Sequence, residues 1–264
     1  MGEVRRCKYV FSFGEYKGKN CGLPANTKGL CRWHTKKNKK KDFTMELQKR
    51  ISEKKTLEGF QLQKALLVRL KLRRAILANT SFQEATLSDC DFEGSNLLAA
   101  NFHQANIKGI NLEGVNLEGA DLRKVIGEEA FLRNANLVNA DLRQAIFREA
   151  NLENTNMEYC NLEQIDLEHA DMENAILTYA KMAGAKMKHI CLESASLIGA
   201  DLRGADMENA SLEGADLEGA NLAGANLRGA NLEAANLAKA NLEETDLTNA
   251  NLEDTALEES DIDL

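Results

Sequence analysis

The residues best suited to chemistry lie near the start of the chain: Cys7, Cys21, Cys31 and His34, spaced as C-x13-C-x9-C-x2-H. Three thiolates and an imidazole are donors that a tetrahedral zinc ion takes, and the C-x2-H step supplies a close pair that one turn can present. Gly18 precedes the second cysteine and Gly22-Leu23-Pro24 follows it, so turn formers flank that ligand. A segment of about 30 residues has too little interior to fold on apolar burial alone, and one structural zinc ion is the expected cofactor. A disulfide is the competing reading; the odd cysteine count of this segment and the lack of an apolar signal segment weigh against it.

Lys36, Lys37, Lys39, Lys40 and Lys41 follow the four ligands. Residues 1–56 hold 16 Lys and Arg against 5 Asp and Glu, which leaves 17 against 36 for residues 57–264. The lysine run, with Trp33 and Tyr16 for base stacking, fits contact with nucleic acid. It fits a solvated linker equally well, and attraction to the acidic remainder of the chain is a third reading. Through Cys-Gly-Leu-Pro-Ala and Leu-Cys-Arg-Trp-His, the segment is similar to small Cys3His modules at the ends of various bacterial proteins. A helix is expected from about Phe43 to Lys55 with Asp42 as its N-cap, and Leu47 and Ile51, four apart, would cover whatever follows. The organisation read from the sequence is therefore a zinc-binding-like module with its Lys-rich linker (1–41), a capping helix (42–56) and a third unit (57–264).

That third unit offers little further chemistry. His169 and His189 differ by twenty in number, so they become neighbours if the chain repeats at that interval. A surface metal or proton site is conceivable there, but nothing in the sequence encloses it. No Gly-rich phosphate loop with its lysine and no nucleophile motif is present, so an enzyme is not expected.

From Leu57 onward an apolar residue recurs at every fifth position to Ile262, and of these 42 positions only Gly127 breaks the rule. Two residues before each stands a small residue, usually Ala, as at Ala200, Ala205, Ala210 and Ala215; Cys90 and Cys160 occupy this slot as small apolar residues. An α-helix turns about 100° per residue, so a five-residue repeat would wind the apolar stripe around the whole surface. A straight strand fails too, because its period of 2 sends successive leucines to opposite faces. Each pentad must combine a short extended piece with a corner, coiling so that Leu and Ala point inward and the coils stack through parallel backbone hydrogen bonds. Val125-Ile126-Gly127-Glu128-Glu129 reads as a bulge or a loosened coil in phase with the rest.

Units such as Ala-Asp-Leu-Glu-Gly (215–219) and Ala-Asn-Leu-Arg-Gly (225–229) resemble the pentapeptide-repeat family. The resemblance implies an all-β solenoid, a right-handed quadrilateral parallel β-helix of about ten 20-residue coils, roughly 50 Å long at about 4.8 Å per stacked strand. It also implies a precedent for function, since quinolone-resistance members are thought to mimic duplex DNA and bind DNA gyrase.

Reading residues 20 apart tests the coil. The residues after every fourth central position run Glu128, Arg148, Glu168, Lys188, Glu208 and Arg228, an alternation of sign that stabilises only if they are neighbours. A second column contains Glu93, Glu113, Glu153, Glu173, Glu193, Glu213, Glu233 and Glu253, interrupted by Arg133 and headed by Arg73. Residues 75–264 carry 35 acidic and 12 basic groups. That is about one net charge per 2 Å of rod, near the about one per 1.7 Å of duplex DNA. Two readings of this face stand: a solubilising choice copied by duplication, or a docking surface for a basic or DNA-binding protein. The neighbouring face is less polar, with Leu98, Val138 and Ile198 outward and Tyr159 one coil from Tyr179. No apolar run reaches the roughly 18 residues of a membrane span, and a cytoplasmic location is expected. The final coil has an open edge, so a homodimer through it is a further expectation.

Overall fold

The computed structural model describes Leu47, Lys49, Arg50, Glu53 and residues 56–260. The zinc-ligand candidates Cys7, Cys21, Cys31 and His34, the lysines 36–41, Asp42, Ile51 and Ile262 lie outside the described residues.

Every pentad has the same local structure, and its five N–H groups explain the sequence. In the pentad 101–105, Phe102 N–H donates to Asp121 O (2.7 Å), Gln104 N–H to Arg123 O (3.0 Å) and Asn101 N–H back to Thr80 O (2.9 Å). Ala105 N–H closes a β-turn on Phe102 O (2.7 Å). The fifth group, His103 N–H, is taken by the side chain of Asn101 at 2.9 Å. The frequent Asn or Asp before each central residue is thus an acceptor for the N–H two residues on, the Asx arrangement. All 41 turns from Gly59 to Glu259 place their third residue at positive φ, between 52° and 68°, the signature of a type II turn. This explains the Gly and Asn there, although Lys, Glu, Tyr and His also take the strained conformation.

Parallel bridges link each residue before a central position to its counterpart four pentads later, from Gln61–Ser81 to Asn236–Ala256 without a shift. Four turns separate bridged partners, so the coil is four-sided, and residues 57–256 form ten such coils. Stacked rings give the rise directly: the centroids of Phe82 and Phe102 are 4.9 Å apart. Central residues and the small residues two before them fill the interior, and nearly all are fully buried from Leu57 to Leu242. In the last coil Leu247, Leu252 and Leu257 are only partly buried. At the other end Leu47 is helical and fully buried in the same core as Leu57 and Phe60, and the Arg50 guanidinium lies 5.5 Å from the Phe60 ring centre.

Gly127 does not loosen its coil. Its N–H donates to Ile146 O (2.7 Å), the bridges Asn106–Ile126–Ile146 are intact, and the expected bulge is absent. A Cβ on Gly127 would lie 2.5 Å from the ring of Phe147, one coil on, so a large residue in the next coil fills the space that a leucine would occupy. A hydroxyl or thiol in the small slot donates to a central carbonyl, that of the preceding coil for Thr80 to Leu57 O (3.0 Å), Ser95 to Leu72 O (2.6 Å) and Cys160 to Leu137 O (2.9 Å), and that of its own pentad for Thr155 to Leu152 O (2.7 Å) and Ser260 to Leu257 O (2.7 Å). Burial pushes the thiols up, Cys90 to about 11 and Cys160 to about 12.

Candidate functional site

The two residues after each central position are the middle residues of a turn, so they occupy the corners of the square and not its flat sides. Columns 20 residues apart are therefore vertical ridges. The glutamate column forms one ridge, and each side of the rod is a narrow panel between two ridges. The sequence reading of that column as a face is corrected accordingly: turn geometry lifts the side chains onto an edge that is open from two directions.

The column is not uniform. Glu93 pairs with Arg73 (2.9 Å) and Glu153 with Arg133 (2.8 Å), so both are locally neutralised by a cation one coil earlier. Among the described residues, Glu113, Glu173, Glu193, Glu213, Glu233 and Glu253 have no cation within salt-bridge distance. Their contacts are neutral: Asn174 donates to Glu173 (3.3 Å), Ser211 to Glu193 (2.8 Å), Asn231 to Glu213 (3.3 Å) and Asn251 to Glu233 (3.3 Å). These donors orient carboxylates without cancelling charge. The uncompensated part of the ridge runs from Glu173 to Glu253, and no Lys or Arg follows Arg133 at this corner or in the pentads centred on it.

The next corner along the chain carries the tyrosines. Tyr159 and Tyr179 stack with ring centres 5.6 Å apart and planes 17° from parallel. They remain 55% and 53% exposed. A Cβ on Gly199 would lie 2.6 Å from the Tyr179 ring, so the stack rests on backbone that a larger residue would block. Ile176, on the panel between this corner and the glutamate ridge, is exposed as well.

The alternating column forms discrete ion pairs. Lys108 reaches Glu128 (3.4 Å), Arg148 reaches Glu168 (3.8 Å) and Lys188 reaches Glu208 (2.5 Å), each one coil ahead. Arg148 also holds Asp166 at 2.6 Å and Arg228 holds Asp246 at 3.3 Å. Beside it, His169 and His189 stack with centres 4.9 Å apart and planes 7° from parallel, as their shared place in the repeat predicts. Parallel stacked imidazoles do not converge on a common ion, and no group of three or more His, Cys, Asp or Glu side chains able to hold a metal occurs among the described residues.

Column reading gave no account of the corner diagonal to the glutamates. There a shallow groove of about 440 Å³ is lined by His103, Arg123, Lys124, Arg143 and their neighbours. Arg123 is held by Asp121 at 2.7 Å and Arg143 by Asp141 at 2.7 Å, so the guanidiniums are compensated within their own pentads. No helix among the described residues is long and apolar enough to cross a membrane.

The chain matches the family described as Pentapeptide repeats in eight copies, over residues 61–98, 95–126, 128–164, 155–193, 190–229 and 225–262. This chain belongs to the pentapeptide-repeat family. Among solved structures, this pentapeptide-repeat protein is similar to HetL, a pentapeptide repeat protein involved in heterocyst differentiation regulation from the cyanobacterium Nostoc sp. strain PCC 7120. The two are 32% identical over 83% of this chain and 96% of HetL, with a TM-score of 0.49. A trypsin-treated form of QnrB1, a plasmid-mediated fluoroquinolone resistance protein, is 16% identical over 72% of this chain and 91% of its own, with a TM-score of 0.37. Rfr23, a pentapeptide repeat protein from the cyanobacterium Cyanothece 51142, is 30% identical over 57% of this chain and 90% of its own, with a TM-score of 0.16. No curated protein matches the chain.

Proposed function

We propose that this pentapeptide-repeat protein is a non-catalytic interaction rod that presents its glutamate ridge to a basic or DNA-binding protein, as a mimic of duplex charge. The observation that carries this reading is the file of five glutamates from Glu173 to Glu253, none of which has a cation partner among the described residues. With coils about 4.8 Å apart, adjacent carboxylates repel one another. Only neutral donors orient them. A ridge kept charged at that cost is available to cations from outside.

DNA gyrase serves as the probe, because quinolone-resistance members of the family are thought to bind it. The full chain is compared with a variant in which Glu173, Glu193, Glu213, Glu233 and Glu253 become Gln. Wild type should compete with DNA for gyrase at low salt and lose that competition as salt rises, since each released contact carries a counterion term. Equal competition by the variant would refute the ridge.

A second reading is a spacer that positions an N-terminal nucleic-acid-binding module, favoured by the division of charge at residue 56. It includes a structural zinc ion held by Cys7, Cys21, Cys31 and His34, a capping helix over 42–56 and contact with nucleic acid through Lys36, Lys37, Lys39, Lys40 and Lys41. Elemental analysis of wild type should find one zinc per chain, lost in Cys31→Ala; none in either would end the zinc assignment. Both readings place the protein in the cytoplasm. A homodimer through the last coil draws support from the partial exposure of Leu247, Leu252 and Leu257. A monomer by sedimentation at micromolar concentration would count against it.

A further inference from the structure

The glutamate ridge and the tyrosine corner bound one side of the rod, and across four coils that side has a single character. The stretches 153–159, 173–179, 193–199 and 213–219 contain Glu153, Glu158, Glu173, Glu193, Glu213, Asp216 and Glu218, but no Lys or Arg. The bases of the same coils, Lys181, Lys186, Lys188, Arg203 and Arg228, all lie on the other two corners and the panels beside them. Inside the acidic rim sit Tyr159, Ile176, Tyr179 and Ile198. The first three are exposed, and the tyrosines are held in a fixed stack above Gly199.

Exposed apolar residues that are scattered need no explanation, but a fixed stack with an isoleucine beside it is a cluster. Tyrosine contributes large contact area with few rotors to freeze, and such residues dominate binding energy when a charged rim surrounds them. Glu153 of this rim pairs with Arg133 (2.8 Å) and Glu218 with Lys239 (2.9 Å), whereas Glu173, Glu193 and Glu213 have no cation partner among the described residues; such unpaired carboxylates repel another acidic surface and attract a basic one.

We propose that this panel, with Tyr159 and Tyr179 as its apolar anchor and the glutamate ridge as its rim, docks a basic amphipathic segment of another protein. The inference rests on the ridge reading above and adds to it: the partner carries an apolar stripe flanked by arginine or lysine, and not positive charge alone. Neither the acidic rod of a second copy nor a nucleic acid fits as well, because both would bring negative charge to an acidic rim.

The test uses the full chain and a labelled amphipathic peptide helix with leucines at i, i+3, i+4 and i+7 and arginines on both flanks, beside a scrambled peptide of the same composition. Binding is read by fluorescence anisotropy at low and physiological salt. Wild type should bind the amphipathic peptide at least about tenfold more tightly than the scrambled one, and the preference should vanish in Tyr159→Ala/Tyr179→Ala. Both tyrosines are exposed, so that variant should keep its circular dichroism and melting temperature, which are measured alongside. Equal binding of the two peptides by wild type, or an unchanged preference in the tyrosine variant, would overturn the inference and leave the ridge intact. Undiminished binding of both peptides by the five-glutamate variant would overturn the ridge reading itself. Self-association by sedimentation that the tyrosine variant abolishes would assign the panel to a second copy and overturn the inference.

Discussion

The pairing of Gly127 with Phe147 allows a sharp test of how the core is packed. In Gly127→Leu, the new Cβ meets three ring atoms of Phe147 at 2.5, 2.8 and 3.1 Å, and the rest of the side chain has still less room. Overpacking of this kind costs about 1–3 kcal/mol. Gly127 is not at positive φ, so its backbone accepts leucine and replacing glycine returns about 0.5–1 kcal/mol. The single variant should therefore lose up to about 2 kcal/mol. Phe147→Leu alone removes the ring that fills the space beside the glycine and should lose about 2 kcal/mol, toward the low end for large-to-small changes with a residual cavity. Together the substitutions place a leucine at both central positions, as in most other coils, and the double variant should be within about 1 kcal/mol of wild type, a favourable coupling of about 1–4 kcal/mol. Urea titration followed by circular dichroism measures each corner of the cycle. Unchanged slopes are required, because a solenoid can lose cooperativity when one coil is weakened. Additive losses, with coupling below about 0.5 kcal/mol, would refute complementary filling of one site by the pair.

Other expectations follow from the same geometry. Asn101→Ala strips the acceptor from His103 N–H, bonded at 2.9 Å, and should cost about 1 kcal/mol in denaturant titration, whereas Asn101→Asp should cost much less. Burial holds the thiols of Cys90 and Cys160 at about 11 and about 12, so both remain neutral at pH 8. Peptide mapping after alkylation should find them labelled only in denaturant, with the half-buried Cys191 labelled earlier in the native protein. Hydrogen bonding to Arg203 holds the Asp201 carboxyl below its ordinary range, so its contribution is complete above the unfolded-state pKa and disappears as pH falls through the folded-state one. Asp201→Asn should therefore be slightly less stable than wild type at pH 7, with the gap closing toward pH 3 in melts. Neutralising Glu173 to Glu253 with Gln should raise the melting temperature at low salt and leave it unchanged at high salt; a salt-independent effect would argue against repulsion along the ridge.

The sequence by itself determined the solenoid. A strict five-residue apolar period is incompatible with a helix face or a straight strand, and the 20-residue columns, which the family resemblance implied and the period alone did not, put Tyr159 beside Tyr179 and His169 beside His189, where stacking distances confirm them. It determined the Cys90 and Cys160 slots for the same reason, since small side chains were needed there. Only the tertiary structure decided which part of the glutamate column remains charged: Arg73 and Arg133 sit in the same column, and whether a guanidinium reaches along it or back to its own pentad, as Arg123 does to Asp121, depends on side-chain geometry. It also decided that the column is a corner, because the turn that lifts it is defined by a hydrogen bond between backbone atoms that carry no sequence label. Gly127 is the clearest case. Read along the chain, it is a defect in a repeat, but its partner stands four pentads away and one coil along, and the ring of Phe147 makes the glycine a requirement of packing.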